Sequence, residues 1–225
     1  MKPRFARSLA LIAPLAFLLA TRADAQTYNL NFSGLGPNDS AIPGSYGDVA
    51  GIVNVSMGHR SGWGNSTLTD ASGYAWGFNY NELIDVGYTA SGTGVGEISF
   101  ANLLAGTLLT FNSANVGAYF DRSIPVELRV YNSAWTLLFA SSGNTASLAS
   151  VLFSAGVSDV SGLYVQWSGI DSGGNPNDAY NVGIDNVNFT SAPTVSVAPE
   201  PATLSLFATG LIGLGFTARR RSRSR

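Results

Sequence analysis

Cysteine is absent from the chain, and histidine occurs once, as His59. The first absence excludes disulfides and thiolate nucleophiles, so an exported body must stand on its own core. Together the two absences remove most zinc and copper chemistry, which draws its ligands from Cys and His. Cations are nearly missing from the middle of the chain. Between residues 26 and 198 only Arg60, Arg122 and Arg129 stand against twelve acids, a net charge of −9. Such a surface cannot neutralise a phosphate backbone, which excludes nucleic acid as an expected partner. The same span has no long segment with apolar residues at helical spacing, so little helix is expected there.

What is present is strand-like. Short apolar or β-branched runs recur between Gly, Asn, Ser and Asp: YNLNF (28–32), GIVNVSM (51–57), YAWGFNY (74–80), EISF (97–100), TLLTF (107–111), VGAYF (116–120), PVELRVY (125–131), WTLLFA (135–140), LYVQW (163–167) and YNVGIDNVNF (180–189). In PVELRVY, Val126, Leu128 and Val130 share one phase and Glu127, Arg129 and Tyr131 the other, which predicts one buried and one wetted face. In YNVGIDNVNF, Tyr180, Val182 and Ile184 keep one phase, while Val187 and Phe189 take the other. That slip predicts a β-bulge at Asp185 and Asn186. ASLASVLF (146–153) fits a helical turn as well as a strand. About ten short strands at regular spacing predict an all-β fold, an antiparallel two-sheet sandwich of the jelly-roll kind, over residues 26–190. SAPTVSVA, which follows, reads as a linker ending at residue 198.

The two ends differ from this body. Residues 1–25 read as a signal peptide: Lys2, Arg4 and Arg7, then an apolar stretch at 9–20, then Ala23-Asp24-Ala25 as a small-residue site for signal peptidase. Residues 199–225 have three parts. Pro199, Glu200 and Pro201 precede 17 uncharged residues, 202–218, and Arg219, Arg220 and Arg221 open a basic end. The uncharged run is at the lower limit for a membrane helix. Its arginines would stay on the cytoplasmic side. This tail resembles the PEP-CTERM sorting signal of Gram-negative bacteria, also known as the ice-binding protein C-terminal domain. The resemblance implies export across the inner membrane, transient anchoring through 202–218 and processing near Pro199–Pro201 by a membrane-embedded exosortase. It further implies display at the cell surface or release into exopolysaccharide, as in a biofilm matrix. The body, with its opening LNFSGLG and closing VGIDNVNF, resembles jelly-roll modules of the carbohydrate-binding and galactose-binding type.

Chemistry-bearing patterns in the body are sparse. No Gly-x-Ser-x-Gly occurs, and His59, in GHRSGWG, reads as a solvated loop residue. Glu82, Glu97 and Glu127 could supply a glycosidase pair only if two carboxylates faced each other. Calcium is the small ion best suited to this composition, because DSGGNPND (171–178) offers Asp171, Asp178 and several amide oxygens. It lacks the Gly and Glu of an EF-hand loop. The jelly-roll resemblance implies a structural calcium on an aspartate of the last strand, which is Asp185 here. Trp63, Trp76, Trp135 and Trp167 serve either a core or a sugar-stacking platform. The resulting expectation is an exported, non-enzymatic surface or matrix protein with polysaccharide as its candidate partner. The alternative is a secreted hydrolase of extracellular glycans. Mass spectrometry of the mature protein should find a start at Gln26 and an end near Pro199–Pro201. A mature chain that keeps Arg219, Arg220 and Arg221 would contradict processing.

Overall fold

Fourteen strands and no helix occupy residues 24–194, without residue 102, which are the residues described by the computed structural model. The signal segment through Ala23, residues 195–198, the Pro199-Glu200-Pro201 triplet, the 202–218 run and Arg219, Arg220 and Arg221 lie outside them. In chain order the strands are β1 (Gln26–Leu30), β2 (Ser40–Ala41), β3 (Asn54–Arg60), β4 (Leu68–Asp70), β5 (Tyr74–Trp76), β6 (Val86–Tyr88) and β7 (Val95–Ala101). They continue with β8 (Thr107–Ala118), β9 (Pro125–Asn132), β10 (Leu137–Asn144), β11 (Val151–Asp159), β12 (Leu163–Ile170), β13 (Pro176–Asp178) and β14 (Val182–Pro193).

All pairings among these strands are antiparallel. One sheet runs β11-β8-β14-β6-β5-β2, with β1 added to β14; the other runs β10-β9-β12-β7-β3-β4, with β13 added to β12. The chain changes sheet at β2 to β3, β4 to β5, β6 to β7, β7 to β8, β8 to β9, β10 to β11, β11 to β12 and β13 to β14. This interleaving gives a two-sheet sandwich of the jelly-roll kind.

Alternation along the strands builds the core between the sheets. Ile98 and Phe100 of β7, Val126, Leu128 and Val130 of β9, and Leu163, Val165 and Trp167 of β12 point inward from one sheet. Leu109, Phe111 and Val116 of β8, and Val182, Ile184, Val187 and Phe189 of β14, meet them from the other. Phe100 and Phe189 touch across the gap, with ring centroids 4.9 Å apart. The indole of Trp167 covers Gly96 and donates its Nε1–H to the carbonyl of Val182, 3.0 Å away.

Several local expectations are met and others corrected. The bulge is where the phase slip put it: the β8–β14 register shifts between Asp185 and Asn188, and Asn186 adopts φ +51°. TLLTF and the Val116–Ala118 part of VGAYF are not separate strands but the two ends of β8. The polar NSAN between them stays in the sheet because the Asn112 side chain bonds Asn188 and Thr190 of β14. In 146–153 a tight Ala146–Ala149 bridge precedes β11, which excludes the helical turn. Pairing of β14 with β8 also runs past residue 190, since Ser191, Ala192 and Pro193 face Leu109, Leu108 and Thr107. A Cβ added at Gly96 would lie 2.4 Å from the Trp167 ring, with no flexible end to yield. Gly96→Ala should therefore cost about 1–3 kcal/mol through overpacking. Thermal unfolding would show a melting temperature lower by several degrees; an unchanged melting temperature would contradict this packing.

Candidate functional site

The outward face of the β3-β7-β12-β9 sheet gathers most of the body's unusual polar chemistry. Strand register sets two rows across it. One row is Gly58, Glu97, Gln166 and Arg129; the next is Ser56, Ser99, Tyr164 and Tyr131. The alternation in PVELRVY is present, but its second face is not wetted. Glu127 is 9% exposed, Tyr131 6%, Glu97 4% and Gln166 0%. Cover on this side comes from the 61–66 loop and from Trp135.

Both glutamates are ion-paired. Arg60 Nε donates to Glu97 Oε2 at 2.6 Å, and Arg129 Nε donates to Glu127 Oε1 at 2.6 Å. Gln166 Nε2 adds a 2.7 Å bond to the same Glu97 oxygen. Charges this sheltered require such partners, because an unpaired buried charge is strongly unfavourable. The aromatic side of the site is a stack. Trp135 lies flat on Tyr164, with centroids 4.0 Å apart and planes 10° apart, and the Arg60 guanidinium sits 4.5 Å from the Trp135 ring. Arg129 stands in the same relation to Trp63, also at 4.5 Å. Contacts of this kind are attractive through the ring quadrupole.

Trp135 reaches this position from a strained turn. In the β9–β10 hairpin Asn132 accepts the Trp135 amide on its carbonyl, and its side-chain oxygen accepts the amides of Ala134 and Thr136. Trp135 itself has φ +61°. A hairpin of this shape normally puts Gly or Asn at that point. A bulky residue there costs roughly 1–2 kcal/mol, and the cost is offset by the stack on Tyr164.

Beside the stack lies an open cleft of about 250 Å³. Its floor is Ser56, Gly58 and Ser99, its walls are Tyr164 and Arg60 on one side and Leu68 and Ala71 on the other, and Glu97 closes the inner end. Donors, acceptors and one aromatic ring thus converge on a space open to solvent. Sequence reasoning missed Tyr164, Gln166, Ser56 and Ser99. The period-two alternation of LYVQW, which sets Tyr164 and Gln166 opposite Val165, carried the available signal.

The residues singled out from sequence are dispersed. Asp171 sits in the β12–β13 turn, where it accepts the amides of Gly173 and Asn175. Asp178 accepts the amide and side chain of Asn181, and its other oxygen lies 3.7 Å from Arg122. Asp185 is buried at the bulge and accepts the amide and side-chain NH₂ of Asn186. Among the described residues no three Asp, Glu or His side chains converge to hold a metal, so these aspartates do not form a common calcium cage. His59 is not a solvated loop residue. It lies buried in β3, with Nε2–H donating to the Thr93 carbonyl and Nδ1 facing the Thr69 hydroxyl, and burial holds its pKa below the usual value. Trp167 is core, Trp76 joins a half-buried cluster with Tyr88 and Tyr119, and Trp63 and Trp135 belong to the outward face. Glu82 has a partner of its own, accepting the Ser150 amide and hydroxyl on its two carboxylate oxygens.

The PEP-CTERM protein-sorting motif matches residues 197–221. The chain therefore carries the signal of exported proteins that an exosortase processes and sorts to the surface. No curated protein matches the chain. Among solved structures the chain is similar to a DUF4465 family protein from Bacteroides caccae, at 9% identity and TM-score 0.45, covering 73% of this chain and 98% of that one. It is also similar to CBM27-1 of Caldicellulosiruptor saccharolyticus in complex with mannohexaose, at 14% identity and TM-score 0.31, covering 72% and 96%. A CBM4 structure gives 11% identity and TM-score 0.25, again over 72% and 96%. These scores lie below 0.5, and the two-sheet architecture rests on the strand pairings themselves.

Desolvation at the bulge pushes the Asp185 carboxyl up to about 7, with nearby Asp85 adding to the rise and the Asn186 amide opposing it. A carboxyl with a raised folded pKa contributes stability below its unfolded value near 4, and that contribution is lost as pH rises through about 7. In chelator, the protein should thus lose stability between about pH 4 and pH 7, and Asp185→Asn should flatten that decline. Parallel stability–pH curves for the two proteins would contradict this reading of Asp185.

Proposed function

We propose that this protein is a non-enzymatic carbohydrate-binding component of the cell surface or extracellular matrix. Its cleft beside Tyr164 would hold a neutral sugar residue. The single observation that carries this reading is the composition of the cleft: one half-buried aromatic wall, two serine hydroxyls, and charges already neutralised by one another. A polyhydroxyl ring with apolar C–H faces satisfies all three. The net charge of −9 over residues 26–198 disfavours anionic chains by long-range repulsion. At about 250 Å³ the cleft is below the roughly 300–1,000 Å³ of drug-sized sites, which suits one sugar unit.

The hydrolase alternative is less well supported. Glu97 and Glu127 share a face, but each is held at 2.6 Å by an arginine. An arginine already occupies each carboxylate, whereas glycoside hydrolysis needs two carboxyls free to flank the scissile bond. Signal peptidase cleavage after Ala25, passage through the inner membrane of a Gram-negative cell and release into exopolysaccharide complete the proposal.

A glycan array probed with the purified protein, with and without calcium, should give binding confined to neutral glycans. Calcium is included because Asp185 alone stays a candidate ligand. Tyr164→Ala should weaken binding at least about tenfold, equivalent to about 1.4 kcal/mol. Trp135→Gly relieves the strained turn as it removes the stack, so it should leave melting little changed, yet weaken binding by removing the ring that fixes Tyr164. Neutral-glycan binding unaffected by either substitution would move the site elsewhere, and release of reducing ends would favour the hydrolase.

A further inference from the structure

The polar row next to the cleft is closed by the protein's own backbone. Gly64, in the loop between β3 and β4, donates its N–H to Gln166 Oε1 at 2.8 Å and accepts from Gln166 Nε2 on its carbonyl at 3.0 Å. One amide side chain therefore holds one peptide residue by a matched donor and acceptor. Around this pair the loop has only polar or stacking ties to the sheet. Arg60 Nη1 donates to the Ser66 carbonyl at 2.6 Å, Trp63 lies on the Arg129 guanidinium, and Gly64 rests over the Tyr131 ring. Among the described residues Trp63 is not part of either hydrophobic cluster, and its buried indole Nε1 has no hydrogen-bond partner. The loop residues Ser61, Gly62, Gly64, Asn65 and Ser66 add no apolar anchor, and Gly64 has φ +68°.

We propose that the 61–66 loop is a latch and that Gly64 occupies a latent carbohydrate subsite on Gln166. The proposal rests on the assignment of the adjoining cleft to a sugar. Two neighbouring hydroxyls of a glycan, one donating and one accepting, would replace the N–H and C=O of Gly64 on the Gln166 amide. Displacing the loop would uncover Glu97, Gln166 and Arg129 in one row. The one-residue cleft would then become a groove running across β7, β12 and β9. Glu97, Gln166 and Glu127 are far more sheltered than the outward face of an exposed sheet would leave them. That arrangement fits a face that is covered at rest and used when open. A closed latch lowers the apparent affinity for long chains by the fraction of molecules that are open, and leaves the affinity for a single sugar unchanged.

Two measurements on the full chain test this. In the first, without sugar, amide hydrogen exchange at Gly64 should be at least about tenfold faster than at Trp167 in the neighbouring strand, as for a locally opening segment. Gln166→Leu should accelerate it further. Exchange at Gly64 as slow as at Trp167 would overturn the latch, whether or not any sugar binds. In the second, mannose, glucose, mannohexaose and cellohexaose are titrated against wild type and Gly64→Pro, in which proline removes the N–H and cannot adopt φ +68°. The variant should bind whichever hexasaccharide the wild type binds at least about fivefold more tightly, with monosaccharide affinity unchanged. Equal hexasaccharide affinities would overturn the latent subsite. If none of the four sugars binds either protein, the subsite is overturned along with the cleft assignment, and exchange at Gly64 decides the latch alone. Should Gly64→Pro misfold, Gly64→Ala, strained at the same φ, takes its place.

Discussion

The two sheets are joined at their centre by one side chain. Trp167 leaves β12, lies over Gly96 of β7 and ends in a buried hydrogen bond to the carbonyl of Val182 on β14. The large ring fills the gap that Gly96 leaves, and the polar atom fixes how far β14 stands from β12. An indole buried without a partner for its N–H would oppose folding, so the Val182 carbonyl is part of the core and not an accessory to it. β14 is the middle strand of its sheet, paired with β8, β6 and β1. Its position therefore sets the bulge at Asp185 on one side of the sandwich. On the other side, the inward pull on Trp167 and Val165 sends Gln166 and Tyr164 outward.

That outward face shows why stability and function divide the polar residues. The ion pairs Arg60–Glu97 and Arg129–Glu127 are too sheltered to be surface bridges and too polar to be core. Pairs of this kind add little net stability over an apolar filling, since desolvation takes back most of the Coulomb gain. Their place beside the open cleft fits the recognition role proposed for this face. The strained Trp135 supports the same division. Glycine would fit its backbone better, yet only a ring can lie on Tyr164.

Much of the fold was legible because period-two alternation is a local property. The inward set of β9, the bulge in YNVGIDNVNF and the lack of helix follow from residues within ten positions of one another. Errors arose where a distant partner decides. NSAN (112–115) looked like a break between strands, but Asn188 and Thr190 on β14 hold Asn112 in the sheet. His59 looked solvated because Gly-rich neighbours suggest a loop, whereas Thr93 and Thr69 enclose it. β14 exceeded its expected limit because its polar end finds partners on β8 that no local pattern announces. The candidate site was hardly legible at all. Arg60 meets Glu97 across 37 positions and Gln166 meets Gly64 across 102, and both pairs depend on the order of strands.

The ends of the body give the site its setting. β1 begins at Gln26, directly after the expected signal cleavage point, and pairs with Ser191 near the end of β14. The sorting motif starts at residue 197. Both termini of the sandwich consequently lie side by side at one end of the long β8–β14 ladder. β1 cannot pair until β14 has been made and exported, so closure of this sheet awaits nearly the whole chain, and loop-closure entropy makes such distant pairing slow. The outward face of the other sheet is built from β3, β7, β9 and β12, all of which lie between those termini in sequence. The residues of the cleft thus belong neither to the paired end strands β1 and β14 nor to the sorting motif.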